Sequence, residues 1–99
     1  MNQYLISEIA KEDLVRIHRY GTAQFGEKQA DRYFDAFFEK FELTAQRPHS
    51  FESAEFIKSG YRKCVSGVDT IFYRINNGVV EIMTIIGRQD RIKTLKRLI

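Results

Sequence analysis

The sequence predicts an α+β domain in which an antiparallel helix hairpin packs on a small, mostly antiparallel sheet, in the order β-α-α-β-β-β. Apolar residues recur at helical spacing through the first half of the chain. Between residues 61 and 88, β-branched and aromatic runs alternate at strand spacing instead. Turn residues separate those runs at Ser66–Asp69 and Asn76–Gly78, which indicates a three-strand meander.

The first half predicts one short strand and two helices. The apolar run Tyr4–Ile6 predicts the strand, and Ser7 after it is a favourable N-cap for the first helix. Gly26 breaks the helical pattern, and Arg47-Pro48 ends the second helix because proline disfavours helical geometry in the preceding residue. The apolar stripes consist of Ala10, Leu14, Ile17, Gly21 and Phe25 in the first helix, and Ala30, Phe34, Phe37, Phe41 and Ala45 in the second.

The second half predicts three strands, at Tyr61–Ser66, Thr70–Ile75 and Val79–Ile86. Strict alternation in the last strand places Val80, Ile82, Thr84 and Ile86 on one face and Val79, Glu81, Met83 and Ile85 on the other. The irregular segment before the meander is expected to lie on the core through Phe51, Phe56 and Ile57. A short basic helix or tail follows the last strand.

Composition limits the class of protein. Ninety-nine residues with 43% hydrophobic and 29% charged content predict a single globular domain, residues 1–99. No apolar run approaches the roughly 20 residues of a membrane span, and the chain opens without a signal-peptide pattern. The single cysteine, Cys64, fits a reducing cytoplasm, and we expect it to be buried as a packing residue. We expect no metal site and no cofactor.

Basic residues are the most informative polar feature. The net charge is +3, and the sequence after the last strand contains five basic residues but only one acidic residue, Asp90. This asymmetry indicates an acidic partner or a target that carries nucleic acid, although a solvated helix face would show the same pattern. Arg62 and Arg74 lie on neighbouring strands and could grip a phosphate or carboxylate from one face. Alternatively, they pair with local acids such as Glu81 or Asp69.

Several motifs together resemble the ParE branch of the RelE/ParE toxin superfamily, the toxins of type II toxin–antitoxin systems. The motifs are A-K-E-D-L at Ala10–Leu14, F-G at Phe25-Gly26, G-Y-R-K at Gly60–Lys63, V-D-T-I-F-Y-R-I at Val68–Ile75 and E-I-M-T-I-I-G-R-Q-D at Glu81–Asp90. The resemblance covers nearly the whole chain. It implies a small sheet wrapped by a helix hairpin and two kinds of target, because ParE-like members poison DNA gyrase whereas RelE-like members cut messenger RNA on the ribosome.

The sequence at the end of the last strand favours gyrase as the target. Many relatives read close to R-V-L-H where Met83–Ile86 stand here, and no tyrosine or histidine follows Tyr73. A nuclease needs a proton-transfer group at that position, so we predict a gyrase inhibitor without catalytic residues. The predicted contacts with gyrase and its DNA are Arg62, Arg74, Arg88, Arg91, Lys93, Lys96 and Arg97.

Two alternatives stay open. A ribosome-dependent ribonuclease would grip the scissile phosphate with Arg62, Lys63 and Arg74 and stabilise developing charge with Arg88. An inactive module would only bind antitoxin. The resemblance implies a cognate ParD-like antitoxin in every case, and an open sheet edge beside an apolar groove would suit it. The candidate antitoxin contacts are Leu14, Ile17, Phe34, Phe37, Arg62 and Arg74. We expect no membrane and no small-molecule substrate.

Overall fold

The computed structural model describes residues 3–87, which form two helices on one five-stranded sheet. The elements are β1 (Tyr4–Ile6), α1 (Glu8–Phe25), α2 (Glu27–Gln46), β2 (Glu52–Ser53), β3 (Arg62–Ser66), β4 (Asp69–Asn76) and β5 (Val79–Gly87). The predicted fold class and element order are confirmed, with the two-residue strand β2 as the one addition. The predicted basic helix or tail lies outside the described residues.

The sheet has the strand order β1-β5-β4-β3-β2, and all its neighbouring pairs are antiparallel except β1 with β5. The turn between β4 and β5 contains Asn77 at φ 52° and Gly78 at φ 78°. These left-handed conformations suit asparagine and glycine, which is why this dipeptide ends one strand and starts the next. The predicted meander is therefore confirmed.

The two helices form an antiparallel hairpin around a single residue. The Ser7 side chain caps α1 by accepting a hydrogen bond from the Ala10 amide at 3.0 Å, as predicted. Gly26 ends α1 and precedes α2 with φ at 89°, a value that other residues adopt only with strain. Near this link a Cβ atom on Gly21 would lie 3.3 Å from the Ala30 Cβ atom, so the helices pack closely there.

The main core lies between the hairpin and one face of the sheet. Phe37 and Phe41 of α2 are fully buried there, with their rings 6.4 Å apart. The other fully or almost fully buried members of this cluster are Ala10, Leu14, Cys64, Ile71, Tyr73, Val80, Ile82 and Ile85. Burial raises the pKa of the Cys64 thiol, which agrees with the packing role predicted for it.

A β-bulge in β5 overturns the predicted strict alternation. Tyr73 pairs with Ile82 whereas the preceding residue of β4, Phe72, pairs with Thr84, so Met83 is an extra residue. Because one extra residue reverses the faces beyond it, Ile85 joins Ile82 in the main core. Ile86 packs on the opposite face.

A second, smaller cluster lies on that opposite face. Tyr61, Phe72 and Ile86 are buried there under Ala54 and Ile57, which come from the segment between β2 and β3. The expected packing of this irregular region on the core is confirmed for Ile57 in the second cluster. It is also confirmed for Phe51, which packs on the main core with its ring centroid 6.3 Å from that of Tyr73. It is wrong for Phe56, which is 71% exposed in the turn after β2.

Within residues 3–87, neither helix has the length and apolar character that a membrane crossing requires.

Candidate target and partner surfaces

Arg62 holds the turn that follows α2. It pairs with Tyr73 across β3 and β4, so its side chain lies on the helix-facing side of the sheet. The guanidinium Nη1 atom donates to the Phe51 carbonyl oxygen at 2.7 Å and to the His49 carbonyl oxygen at 3.4 Å. The Tyr73 hydroxyl donates to the Pro48 carbonyl oxygen at 2.7 Å in the same turn. The sheet thus satisfies three carbonyl groups of a segment that has few hydrogen bonds of its own.

Burial in this region also keeps Tyr73 in its neutral form. Desolvation raises the pKa of the Tyr73 phenol to about 12, although the positive charge of Arg62 acts in the opposite direction. A neutral phenol remains a hydrogen-bond donor at all physiological pH values. Both side chains are therefore engaged in holding the turn.

Arg74 lies on the opposite face and forms an ion pair. Its Nε atom donates to Glu81 Oε1 at 3.1 Å across β4 and β5, and its side chain is 42% exposed. The hydrogen bond from Arg74 lowers the pKa of the Glu81 carboxyl group. The alternative reading, in which this arginine pairs with Glu81, is confirmed.

The two arginines cannot grip one anion from a common face. Arg62 pairs with Tyr73, and Arg74 is the next residue along β4, so the pleat of the sheet directs the two guanidinium groups to opposite faces. The expectation of a shared face is therefore wrong. Of the two, Arg74 is the one whose guanidinium lies on a face without helices.

The four apolar candidates for antitoxin contact separate into two pairs. Leu14 is 4% exposed and Phe37 is fully buried, so neither offers a surface to a partner, and both are corrected to core residues. Ile17 and Phe34 are half-buried at the margin of the same cluster. Phe34 has its ring centroid 5.3 Å from that of His18. Ile17 and Phe34 stay candidates because a partner could extend the apolar packing that they begin.

The basic residues after Gly87 lie outside the described residues, and their predicted role in target binding stays a prediction. These residues are Arg88, Arg91, Lys93, Lys96 and Arg97. Gly87 is the last residue of β5 and pairs with Asp69, which begins β4. The basic segment therefore follows directly from the β3–β4 end of the sheet.

Among the groups that could transfer a proton, His18 is engaged with an acid, His49 is exposed and Tyr61 is buried. The His18 Nε2 atom lies 2.7 Å from Asp31 Oδ1, which links α1 to α2, and His49 is exposed in the turn after α2. Tyr61 is close enough to Arg74 to feel its charge, but it is 4% exposed and desolvation raises the pKa of its phenol. Within residues 3–87, no group of three or more histidine, cysteine, aspartate or glutamate residues is arranged to hold a metal ion.

The burial of two aspartates was not predicted from the sequence. Asp13 is 2% exposed on α1, and Asp69 is 6% exposed at the start of β4. The spacing contained a signal for Asp13, because it lies three residues after Ala10 and four before Ile17, on the apolar stripe of its helix. For Asp69 the sequence held no comparable signal.

The sheet edges are short in the described part of the molecule. β1 has three residues, and β2 covers only the first two residues of β3. From Cys64 to Ser66, β3 therefore has a paired neighbour on one side only, and Val65 is 59% exposed at this edge. An extended segment of a partner could pair there or along β1.

Comparisons with known proteins agree over almost the whole chain. The sequence model of a family described as the ParE toxin of a type II toxin–antitoxin system matches residues 4–92. The chain is 36% identical over 87 residues to "Toxin ParE1" of Caulobacter vibrioides, which covers 87% of this chain and 88% of that protein. It is 27% identical over 89 residues to "Toxin ParE1" of Mycobacterium tuberculosis, which covers 89% of this chain and 91% of that protein.

A solved structure has the same fold. A chain of the chromosomal ParDE toxin–antitoxin system of P. aeruginosa superposes with a TM-score of 0.77 and covers 88% of this chain and 96% of its own. The sequence identity is 16%, so this similarity is evidence for the fold alone.

Proposed function

The chain belongs to the ParE toxin family, the toxins of type II toxin–antitoxin systems, and from this premise we propose that it inhibits DNA gyrase and thereby blocks replication. The family match over residues 4–92 carries this proposal. The second part of the proposal is that a cognate ParD-like antitoxin neutralises it. The matching family is described as the toxin of the parDE toxin–antitoxin system, which supports an antitoxin of that type.

The end of β5 supports a binding protein over a ribonuclease. Where ribonuclease relatives are expected to carry a proton-transfer group, this chain has Thr84, Ile85 and Ile86, which are 0%, 0% and 2% exposed. The two isoleucines carry no group that exchanges protons, and the buried Thr84 hydroxyl is a poor acid and base, so this strand end lacks the group that would take a proton from a ribose hydroxyl or give one to a leaving oxygen. The described tyrosines next to the arginines, Tyr61 and Tyr73, are equally buried and hold their protons more tightly than a free phenol.

The distribution of charge supports the segment after Gly87 as the gyrase contact. Eleven basic and twelve acidic residues precede Arg88, whereas five basic residues and one acidic residue follow from there to the end. The whole positive excess of the protein therefore belongs to its last twelve residues. Gyrase in complex with cleaved DNA is a strongly anionic target, to which such a segment would be attracted from a distance.

A gyrase supercoiling and cleavage assay with the purified chain tests the proposal. We expect loss of supercoiling and accumulation of gyrase-linked DNA breaks, with translated message left intact in a parallel messenger-cleavage assay. A triple variant, Lys93→Ala with Lys96→Ala and Arg97→Ala, should need at least about tenfold more protein for the same inhibition, since each lost contact of a charged group weakens binding.

The matched control removes three basic residues from the described surface, Lys11→Ala with Lys28→Ala and Lys58→Ala. These side chains are exposed, and their removal changes the net charge by the same amount as the terminal triple variant does. Equal loss in both triple variants would mean that net charge acts and not the terminal segment. Gyrase that is unaffected by excess protein would end the proposal, and cut message would establish the ribonuclease reading in its place.

For the antitoxin, the structure leaves Ile17, Phe34 and Arg74 as candidate contacts. We expect Phe34→Ala to weaken antitoxin binding by at least about 1 kcal/mol, because half-buried aromatic side chains are typical anchors at interfaces. High salt should weaken the complex only in part, since apolar anchors carry much of the affinity and salt screens only the charged contacts. Titration calorimetry at two salt concentrations measures both effects, and complete dissociation at high salt would contradict the apolar contribution.

A further inference from the structure

Two aspartates of the family-like motifs converge on the end of β5 and have no part in the function proposed above. Asp13 belongs to A-K-E-D-L and Asp69 to V-D-T-I-F-Y-R-I, and their side chains are 2% and 6% exposed. Carboxylates are seldom buried to this degree unless hydrogen bonds or charges hold them. The positions of their partners therefore indicate what they are for.

Asp13 forms hydrogen bonds with β5 beyond the point where β1 ends. The last residue of β1, Ile6, pairs with Ile82, so the outer edge of β5 loses its neighbouring strand immediately before the bulge. From α1, the Ser7 amide donates to the Ile82 carbonyl oxygen at 3.0 Å, and the Ser7 hydroxyl donates to the Met83 carbonyl oxygen at 2.8 Å. The start of α1 thus takes over from the strand.

The carboxylate of Asp13 takes the place of a neighbouring strand further along β5. Its Oδ2 atom accepts hydrogen bonds from the Thr84 hydroxyl at 2.6 Å and from the Ile85 amide at 3.0 Å. Its Oδ1 atom accepts a hydrogen bond from Arg16 Nη2 at 3.3 Å. A backbone amide of β5 beyond the end of β1 is thereby satisfied by a side chain.

Asp69 holds the same strand from its other side. It pairs with Gly87, and its Oδ1 atom would lie 2.7 Å from a Cβ atom on that glycine, so the carboxylate occupies the space that a side chain would need. The Tyr33 hydroxyl of α2 lies 2.7 Å from Asp69 Oδ2 and 2.9 Å from the Ser66 carbonyl oxygen. It also accepts a hydrogen bond from the Val68 amide at 3.1 Å.

Tyr33 is a permanent donor in this arrangement. Burial, followed by the hydrogen bond and the negative charge of Asp69, raises the pKa of the Tyr33 phenol to about 12. The hydroxyl therefore keeps its proton at physiological pH and links α2 to the turn between β3 and β4. α1 thus holds one side of the strand end through Asp13. α2, through Tyr33, holds Asp69 at the start of β4, and Asp69 pairs with Gly87 on the other side.

We propose that Asp13 and Asp69 are positioning residues that clamp Ile85–Gly87, one from α1 and the other from the start of β4, and so fix the position of the strand end to which the basic segment is joined. The clamp predicts local, not global, effects when a carboxylate is neutralised. Its consequence for gyrase rests on the function proposed above, because it assumes that the segment after Gly87 makes the contact.

Amide hydrogen exchange of the full chain tests the clamp directly. The variants are Asp13→Asn and Asp69→Asn, and the matched control is Asp35→Asn, which makes the same charge change at an exposed position of α2. We expect the amides of Ile85–Gly87 to exchange at least about tenfold faster in the two clamp variants than in the control. The amides of Ile71 and Phe37 in the core should change less than about threefold.

A gyrase assay on the same samples adds the functional readout, and we expect both clamp variants to inhibit at least about fivefold less well than the control. Unchanged exchange at Ile85–Gly87 would overturn the proposal, and so would an equal acceleration at all amides, which marks a merely stabilising role. If a clamp variant does not fold, Tyr33→Phe removes one hydroxyl and should accelerate exchange at Val68, whose amide donates to that hydroxyl, and at Gly87, with the core amides unchanged. Wild-type protein that leaves gyrase unaffected would refute the proposed function, while the exchange data would still decide whether the clamp exists.

Discussion

The two faces of the sheet are built from similar residues but covered to different depths. On one face, two helices bury a cluster of aromatic and branched side chains around Phe37, Ile71 and Tyr73. On the other, a segment without regular structure covers Tyr61, Phe72 and Ile86, while Val65 and the ion-paired Arg74 lie near its open part. Strand alternation alone therefore does not distinguish a structural face from one that is available for contacts. The elements that pack on each face make the difference.

The largest expected difference between the faces is in the cost of removing a ring. Phe37→Ala should lower the free energy of unfolding by about 3–5 kcal/mol, because the helices cannot close over the cavity. Phe72→Ala should cost roughly 2–3 kcal/mol, since the loop segment above it can collapse into the space. Urea unfolding of both variants measures the difference. A larger loss for Phe72→Ala would reverse the assignment of the two faces.

The two strand arginines give the next largest difference. Arg62→Ala should destabilise the fold by about 1.5–3 kcal/mol, because it leaves the carbonyl groups of the turn after α2 without a charged donor. Arg74→Ala removes a partly exposed ion pair and should cost less than about 1 kcal/mol. Thermal unfolding compares the two, with Arg62→Lys as a control that keeps charge but loses the planar guanidinium. Equal destabilisation would contradict the different roles assigned to them.

Alkaline pH should destabilise the helix-covered face through Tyr73. A phenol whose pKa is raised on folding loses its proton more readily in the unfolded chain, so stability is complete below pH 10 and falls as the pH rises toward about 12. For the fully buried Tyr73 the loss between pH 10 and pH 11 is about 1 kcal/mol. Unfolding measured against pH, beside Tyr73→Phe, isolates this contribution, and the variant should have the shallower slope.

The smallest effect is expected at the exposed edge of the second face. Phe56→Ser removes a ring that is 71% exposed and lies under the Lys63 ammonium group, 5.4 Å from the ring centroid. Surface changes of this kind usually alter stability by less than about 0.5 kcal/mol. If the melting temperature stays constant while binding to gyrase or antitoxin falls, the second face is a contact surface. A marked loss of stability would show that Phe56 packs more tightly in solution.

The features that the sequence predicted well are local. Ser7 at the start of α1, Gly26 between the helices and Asn77-Gly78 between β4 and β5 each act through the conformation of a few neighbouring residues. The family-like motifs identified the family for the same reason, since their order along the chain can be compared without knowing any contact. These inferences needed no tertiary information.

The features that the sequence did not predict depend on register. The bulge at Met83 leaves no mark in composition, yet it exchanges the faces of Ile85 and Ile86. The hydrogen bonds of Arg62 were not predicted, because the carbonyl groups that accept them belong to a turn eleven to thirteen residues earlier in the chain. Its role in binding stays a prediction. Leu14 and Phe37 lie on the correct helix stripes, but a stripe does not reveal which of its members the sheet covers completely.

The pairing of β1 with β5 gives the protein a particular order of synthesis and folding. Tyr4 pairs with Val80 and Ile6 with Ile82, so the first strand remains without its partner until nearly the whole chain has been translated. At about 5–20 residues per second, a ribosome needs several seconds to reach that point. The helix hairpin, whose contacts are local, can form earlier. The five-stranded sheet can therefore be completed only after residues 80–82 have been translated.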